Sequence, residues 1–176
     1  MIKMLIGRII NLRQLEEYNM DACQDMINDQ TMTSWVVSFS FLVFKSGQQE
    51  WFVKDLHDFK NKRFVITDKK NDALGIVTLS NIVCRERSVI LEIKLHLDTP
   101  QKKGVEIDAL KVLIHYVFVE IKINRMNASW IFDNIASKKT FSNCGFRVEG
   151  RLRKAIFRND KYKDLVLAGM LQKEYL

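Results

Sequence analysis

Apolar residues recur along this 176-residue chain with two periods, and the switches between them mark out its elements. Ser88 to Leu97 has the clearest period of two. Val89, Leu91, Ile93, Leu95 and Leu97 share one face, with Glu92, Lys94 and His96 on the other, the mark of a strand with one side in a core. It ends at Asp98-Thr-Pro100, because proline has no N–H for a ladder. Ile6 to Leu12 alternates weakly and reads as an opening strand. Phe64 to Thr67 and Leu74 to Leu79 read as strands flanking a polar turn at Asp68 to Asp72. Arg125 to Phe132, Phe146 to Ile156 and Leu165 to Leu171 are the remaining strands, the last two closing around Asn159-Asp160.

Helical spacing appears between them. Tyr18 to Asn28 carries Met20, Cys23, Met26 and Ile27 on one side, a first short helix. Ser46 caps a second, whose apolar side is Trp51, Phe52, Leu56 and Phe59. After Gln101-Lys-Lys-Gly104-Val-Glu-Ile-Asp108 comes a long amphipathic helix with Ile107, Leu110, Leu113, Ile114, Val117, Phe118 and Ile121 as its buried stripe. Ile135 to Asn143 is a helix stopped near Gly145, a natural left-handed cap residue. The segment from Ser34 to Lys45 is aromatic and irregular, either a loop lining a cleft or a short buried piece. An antiparallel run followed by strand–helix–strand–helix–strand makes an α+β fold, with a single mixed, largely antiparallel central sheet and helices on both faces. Pro100 is the one proline and no Gly/Ser linker or repeat interrupts the chain, so residues 1–176 read as one domain.

Composition narrows the function. Hydrophobic residues make up 47% and charged ones 28%, which is globular rather than disordered. No run reaches a membrane span, and Met1 to Arg8 has too short an apolar core for a signal peptide, so a cytoplasmic protein with no membrane partner is expected. Cys23, Cys84 and Cys144 are widely spaced without a C-x-x-C pair, and His57, His96 and His115 are scattered, so no metal site is expected. The formal charge is +7, and from Asn134 onward ten Lys and Arg face four Asp and Glu, a local balance of +6. That excess suits nucleic acid, a membrane surface or a small polyanion, but no basic run with interleaved aromatics favours nucleic acid.

A strand that stops, a glycine loop and a helix start make an anion seat, because the first helical N–H groups point outward unpaired and the helix dipole adds positive charge. Gln101, Lys102, Lys103 and Gly104 occupy such a place. The pattern is not a P-loop, which needs a second glycine followed by Lys and Ser or Thr.

Two further motifs stand with this loop: Asn134-Ile-Ala-Ser137 followed by Cys144-Gly145-Phe146-Arg-Val-Glu149-Gly150-Arg151, and Tyr162-Lys-Asp164 before an apolar strand. In their order and spacing the chain resembles the GNAT superfamily of acetyl-CoA-dependent N-acyltransferases, particularly the ribosomal-protein-alanine and amino-sugar acetyltransferase branch, from about Ile9 to the end. The resemblance implies the acyl-CoA N-acyltransferase fold. It implies that Gln101, Lys102, Lys103, Gly104 and Val105 grip the CoA diphosphate through main-chain amides, and that the pantetheine arm lies along Leu95 and Leu97 like an added strand. A free N–H near Leu97 would hold the thioester oxyanion. Asn134 would touch the pantetheine amide, and Ser137 or Lys138 would face the nucleotide end.

Two positions depart from the family pattern. Glu106 stands where a second small residue is usual, and a carboxylate near a diphosphate repels it by about 1 kcal/mol when partly screened, unless it turns outward or pairs with Lys102 or Lys103. Phe141 stands where many relatives carry a tyrosine that protonates the departing thiolate. Glu92 is the candidate general base, with cross-strand pairing to Lys or Arg as its structural alternative. His96 is a second candidate. The expected reaction is direct attack of a primary amine on acetyl-CoA in a ternary complex. Its acceptor would be a protein N-terminus, an amino sugar, a polyamine or an aminated drug, walled by Trp35 to Phe44. The alternative is a non-catalytic acyl-CoA-binding or protein-interaction module on the same fold. A monomer or homodimer is expected.

Overall fold

The computed structural model describes residues 4–16, 58–96 and 102–176, together with Asp21, Cys23, Asp25, Asn28 and Val37. Eight strands form one sheet: β1 Met4–Ile6, β2 Asn11–Gln14, β3 Lys62–Thr67, β4 Ala73–Val83, β5 Ser88–Leu95, β6 Arg125–Ile131, β7 Arg147–Arg158 and β8 Lys161–Leu171, in the spatial order β1-β2-β3-β4-β5-β6-β8-β7. Every pairing is antiparallel except β5 with β6. Helix α1 is Lys102–His115, running on into a π turn at Tyr116–Glu120; α2 is Ile135–Asn143; α3 is the short Gln172–Tyr175.

One face of the sheet carries the main core. Phe64, Ile66, Val77, Leu79, Val89, Leu91 and Leu95 meet Leu110, Leu113 and Ile114 of α1 and Val117 and Phe118 of the π turn that follows it. Burying each such aliphatic side chain is worth about 1.5–3 kcal/mol, so the alternation in β5 and the stripe on α1 are one interaction seen from two sides. Ile121, expected to close that stripe, is 38% exposed because the helix has widened before it, and Val105 and Ala109 fill the core instead. The opposite face buries Leu15, Val65, Ile76 and the helical Cys23, so helical residues lie against both faces. Asp21, Cys23, Asp25 and Asn28 are helical, as Tyr18 to Asn28 predicts. The rest of Tyr18 to Asn28, the helix expected after Ser46 and nearly all of the segment from Ser34 to Lys45 fall outside the described residues.

The chain's opening differs from expectation. Ile6 to Leu12 is not one strand but a hairpin, β1 and β2 joined through Gly7–Ile10, with Gly7 N–H bonded to Ile10 O at 2.9 Å. The turn is held from a distance. Asp108 of α1 accepts from Ile9 N at 2.8 Å and Ile10 N at 3.2 Å, while Lys69 Nζ donates to Gly7 O and Ile10 O. A side chain at position 7 would meet the Asp108 carboxylate at 2.7 Å. The closing hairpin behaves as predicted, but its strands run longer, because Asn159 and Asp160 both take positive φ (50° and 57°). That two-residue turn matches strand twist and lets pairing continue to the tip.

Candidate active site

The feature that builds the site is a failure of pairing. β5 and β6 register only at Ser88–Arg125, Val89–Met126 and Ile90–Asn127. Beyond these, residues 91–95 remain paired to β4 on their outer side, and residues 128–131 to β8 on theirs. The two inner edges therefore diverge, each carrying a row of main-chain donors and acceptors that no strand among the described residues takes up. Asn127 bridges the fork by donating its amide to Val89 O at 3.4 Å. Buried main-chain polar groups are nearly always paired, so such a fork fits an extended ligand lying between its arms.

Each parallel strand feeds a helix at the same end, which brings the N-termini of α1 and α2 to the mouth of the fork, where ligands of open parallel sheets collect. In the first turn of α1, Gly104 has φ of 98°, a conformation that costs other residues strain. Its Cβ position is open, with only Ile9 Cδ1 at 3.7 Å. Val105 is buried against the core and anchors the loop. Leu97 and Gln101, and the side chains of Lys102 and Lys103, lie outside the described residues.

At α2, Asn134 is the N-cap, accepting from Ser137 N at 3.0 Å through Oδ1. That use commits its oxygen and leaves the Nδ2 hydrogens for a ligand. Ser137 is half-buried and Lys138 exposed on the same first turn. The far end of α2 closes as a Schellman motif. Gly145, at φ 96°, donates to Ser142 O and Phe146 N–H reaches back to Phe141 O, with the Phe141 and Phe146 rings in edge contact at 5.3 Å. The turn before α2 is tied to the outer hairpin. Phe132 N donates to Asp164 O at 2.9 Å, Lys163 pairs with Asp133 at 2.7 Å, and Arg151 lies over the Phe132 ring while pairing with Asp164. The Lys154 amide, foremost, and the Arg151 guanidinium hold the Asp164 carboxyl below the usual range.

The two departures from the family pattern have definite places. Phe141 is buried, stacked on Trp130 at 5.5 Å with 10° between planes, and is a packing group. Glu106 is half-buried and its Oε2 accepts from the Thr140 hydroxyl of α2 at 2.7 Å, a partner the sequence reading did not include. Glu92 lies mid-strand opposite Thr78, which in turn opposes Arg63, so the three share a row across β5, β4 and β3 on the face away from α1. Lys94 is its neighbour on that face. Burial lowers the Arg63 and Lys94 proton affinities and the Glu92 charge raises them again, so Glu92 is electrostatically coupled to both. His96 is half-buried just past β5, its N–H on Leu74 O. Leu95 is buried at the arm's end, and opposite it stands Gly75, where a Cβ would meet Lys94 O at 2.3 Å. Sequence reading passed over Gly75, though an isolated glycine inside a strand is itself a sign of close backbone approach. Burial pushes the Cys144 thiol up to about 11 and that of Cys23 to about 12, so neither supplies a thiolate near neutrality. Among the described residues no cluster of three His, Cys, Asp or Glu could hold a metal ion, and no helix is long and apolar enough to cross a membrane.

Comparison with known proteins bears on this arrangement. The family model described as the acetyltransferase (GNAT) domain matches residues 12–167. The spermidine N(1)-acetyltransferase of Vibrio cholerae serotype O1 is 25% identical over 167 residues, 95% of each chain. The ribosomal-protein-serine acetyltransferase of Escherichia coli K12 is 28% identical over 113 residues, 64% of this chain and 62% of that one. Among solved structures, the spermidine N-acetyltransferase from Vibrio cholerae in complex with CoA and spermine superposes with a TM-score of 0.88 at 24% identity, covering 94% of this chain and 97% of that one.

Proposed function

Because this chain belongs to the GNAT acetyltransferase family and is an N-acetyltransferase drawing its acetyl group from acetyl-CoA, we propose that its acceptor is a primary amine of a linear polyamine such as spermidine. The observation that carries this reading is the similarity to a spermidine N(1)-acetyltransferase across 95% of both chains. Charge placement supports it. Residues 14–44 contain Glu16, Glu17, Asp21, Asp25 and Asp29 and no Lys or Arg, against the basic C-terminal third. Asp21 and Asp25 are helical and exposed. Carboxylates four residues apart on a helix rise by about 6 Å, comparable with the span of a four-carbon chain between two amines.

In this reading the diphosphate sits on the main-chain amides of Gln101, Lys102, Lys103, Gly104 and Val105. The pantetheine arm lies in the fork against Leu95 and Leu97, and Asn134 Nδ2 donates to its amide. Ser137 and Lys138 meet the nucleotide end. Glu92 takes a proton from the incoming ammonium directly or through one water, and the freed amine adds to the thioester carbon. The tetrahedral adduct collapses as its C–S bond breaks and the proton left on nitrogen passes to solvent. Oxyanion stabilisation by a main-chain N–H near Leu97 and close positioning supply the acceleration. With Phe141 at the family's tyrosine position, the thiolate leaves unprotonated.

A protein N-terminus is the second reading, favoured by the similarity to a ribosomal-protein-serine acetyltransferase. Thiol release from acetyl-CoA with spermidine, a glucosamine and short peptides separates these. Spermidine should have a kcat/KM at least tenfold above the others; a peptide in that place would remove the polyamine reading. No thiol release with any acceptor, alongside intact CoA binding, would count against both.

A further inference from the structure

We propose that Glu106 is a positioning residue of the donor cleft, holding α1 against α2 through the Thr140 hydroxyl. The inference rests on the donor seat proposed above and adds to it a device belonging to this chain. Thr140 Oγ1 donates to Glu106 Oε2 at 2.7 Å between residues 34 positions apart, with Thr140 only 7% exposed. The helices so joined are the two whose N-termini open on the fork. Gly104, two residues before Glu106, begins one grip, and Asn134, at the head of the helix that carries Thr140, begins the other. A donor bound from diphosphate to pantetheine touches both, so the angle between α1 and α2 sets the distance between its two attachments. A bridge that fixes this angle before binding removes an ordering cost from association.

The geometry also answers the apparent conflict of a carboxylate beside a diphosphate seat. The Glu106 side chain reaches sideways to α2, where a hydroxyl takes up its charge. The bridge has charged and polar company: Cys144 lies close enough to sense both the Lys111 ammonium and the Glu106 carboxylate. Thr140 in turn precedes Phe141, whose ring is clamped between Trp130 and Phe146, so the hydroxyl is presented by a rigid part of α2.

The sign of two substitutions at one position tests the proposal. Glu106→Gln keeps an oxygen for the Thr140 hydroxyl and loses the charge, so its Kd for CoA should equal or fall below that of the unaltered chain. Glu106→Ala and Thr140→Val each remove the bond, and each should weaken CoA about tenfold, the change that a lost hydrogen bond to a charged acceptor represents. The double variant Glu106→Ala/Thr140→Val should be no weaker than either single one. The acetyl-CoA KM should follow these constants, while the acceptor KM and kcat at saturating donor stay level, a split that a merely stabilising bond would not give. Binding is read by calorimetry with CoA, and thermal melts without ligand report folding. Tighter CoA binding by Glu106→Ala would show the carboxylate acting only as a repulsive charge and would overturn the proposal. Additive effects in the double variant would also overturn it. If Gly104→Glu abolishes CoA binding while Glu106→Ala leaves it unchanged, this inference alone falls; if Gly104→Glu binds CoA normally, the donor seat falls and takes the bridge with it.

Discussion

Phe141 is a packing residue in this fold. Its ring lies flat on Trp130 and edge-on to Phe146, with 4% of its surface exposed. Phe141→Ala should therefore cost about 3–5 kcal/mol, seen as a fall in the urea midpoint, with acetyl transfer lost through unfolding; Phe141→Leu should retain most of the stability. A large drop in kcat from Phe141→Leu at unchanged stability would give the ring a part in chemistry. The cysteines separate in the same physical way. Cys84 is exposed, whereas burial raises Cys144 to about 11 and Cys23 to about 12. A raised thiol pKa means scarce thiolate, so at pH 8 Cys84 alone should react rapidly with an aromatic disulfide. Labelling of Cys144 should speed up as pH climbs toward 11. For Cys23 the folded state holds its proton more tightly than the unfolded chain, so its contribution to stability is whole below the unfolded pKa and fades between about pH 9 and 12.

At the scale of elements, Asn134 caps α2 and, in the function proposed above, also donates to the pantetheine amide, two tasks that one pair of substitutions can divide. Asn134→Ala removes both the cap oxygen and the Nδ2 donor. It should cost about 1 kcal/mol, roughly 2–4 °C in Tm for a chain of this size, and should raise the acetyl-CoA KM. Asn134→Asp keeps a cap oxygen and suits the helix dipole, so Tm should hold while the KM still rises. A normal KM in Asn134→Asp would mean that the side chain serves α2 only. The elements legible in the sequence are those specified by nearby residues: the alternation of β5, the capped and Schellman-closed α2, and the Asn159–Asp160 turn. What escaped it depends on residues far apart in sequence. The β1–β2 turn hides in an apolar run because its support is Asp108, about a hundred positions on. The fork cannot be read from β5 or β6 singly, since it is a property of where their pairing stops. Glu106 reads as a repulsive charge until Thr140 is brought beside it. Of the proposed donor site, then, the glycine loop and the helix cap stand in the sequence as motifs, while the cleft between them emerges only from topology.

Across the whole molecule, charge is sorted by position in the chain, and sorting of this kind predicts a response to salt. In the function proposed above, a polyanionic donor would be drawn to the C-terminal third, where the balance is +6, and a polycationic acceptor to residues 14–44, which hold five carboxylates and no Lys or Arg. Attraction between exposed charges fades beyond a screening length of about 10 Å at 0.1 M salt and about 3 Å at 1 M. Raising ionic strength over that range should increase the spermidine KM several-fold and leave that of a monoamine nearly level, because only the polycation meets several carboxylates at once. The acetyl-CoA KM should rise more modestly, since main-chain amides and a helix dipole carry much of that grip at short range. Asp21→Asn/Asp25→Asn should raise the spermidine KM at low salt and flatten its salt dependence, with monoamine kcat unchanged because neither carboxylate enters the chemistry proposed here. Equal salt responses for spermidine and a monoamine would mean that the acidic segment does not read charge. The acceptor would then be recognised by shape alone, and the polyamine reading would lose its physical basis in this chain.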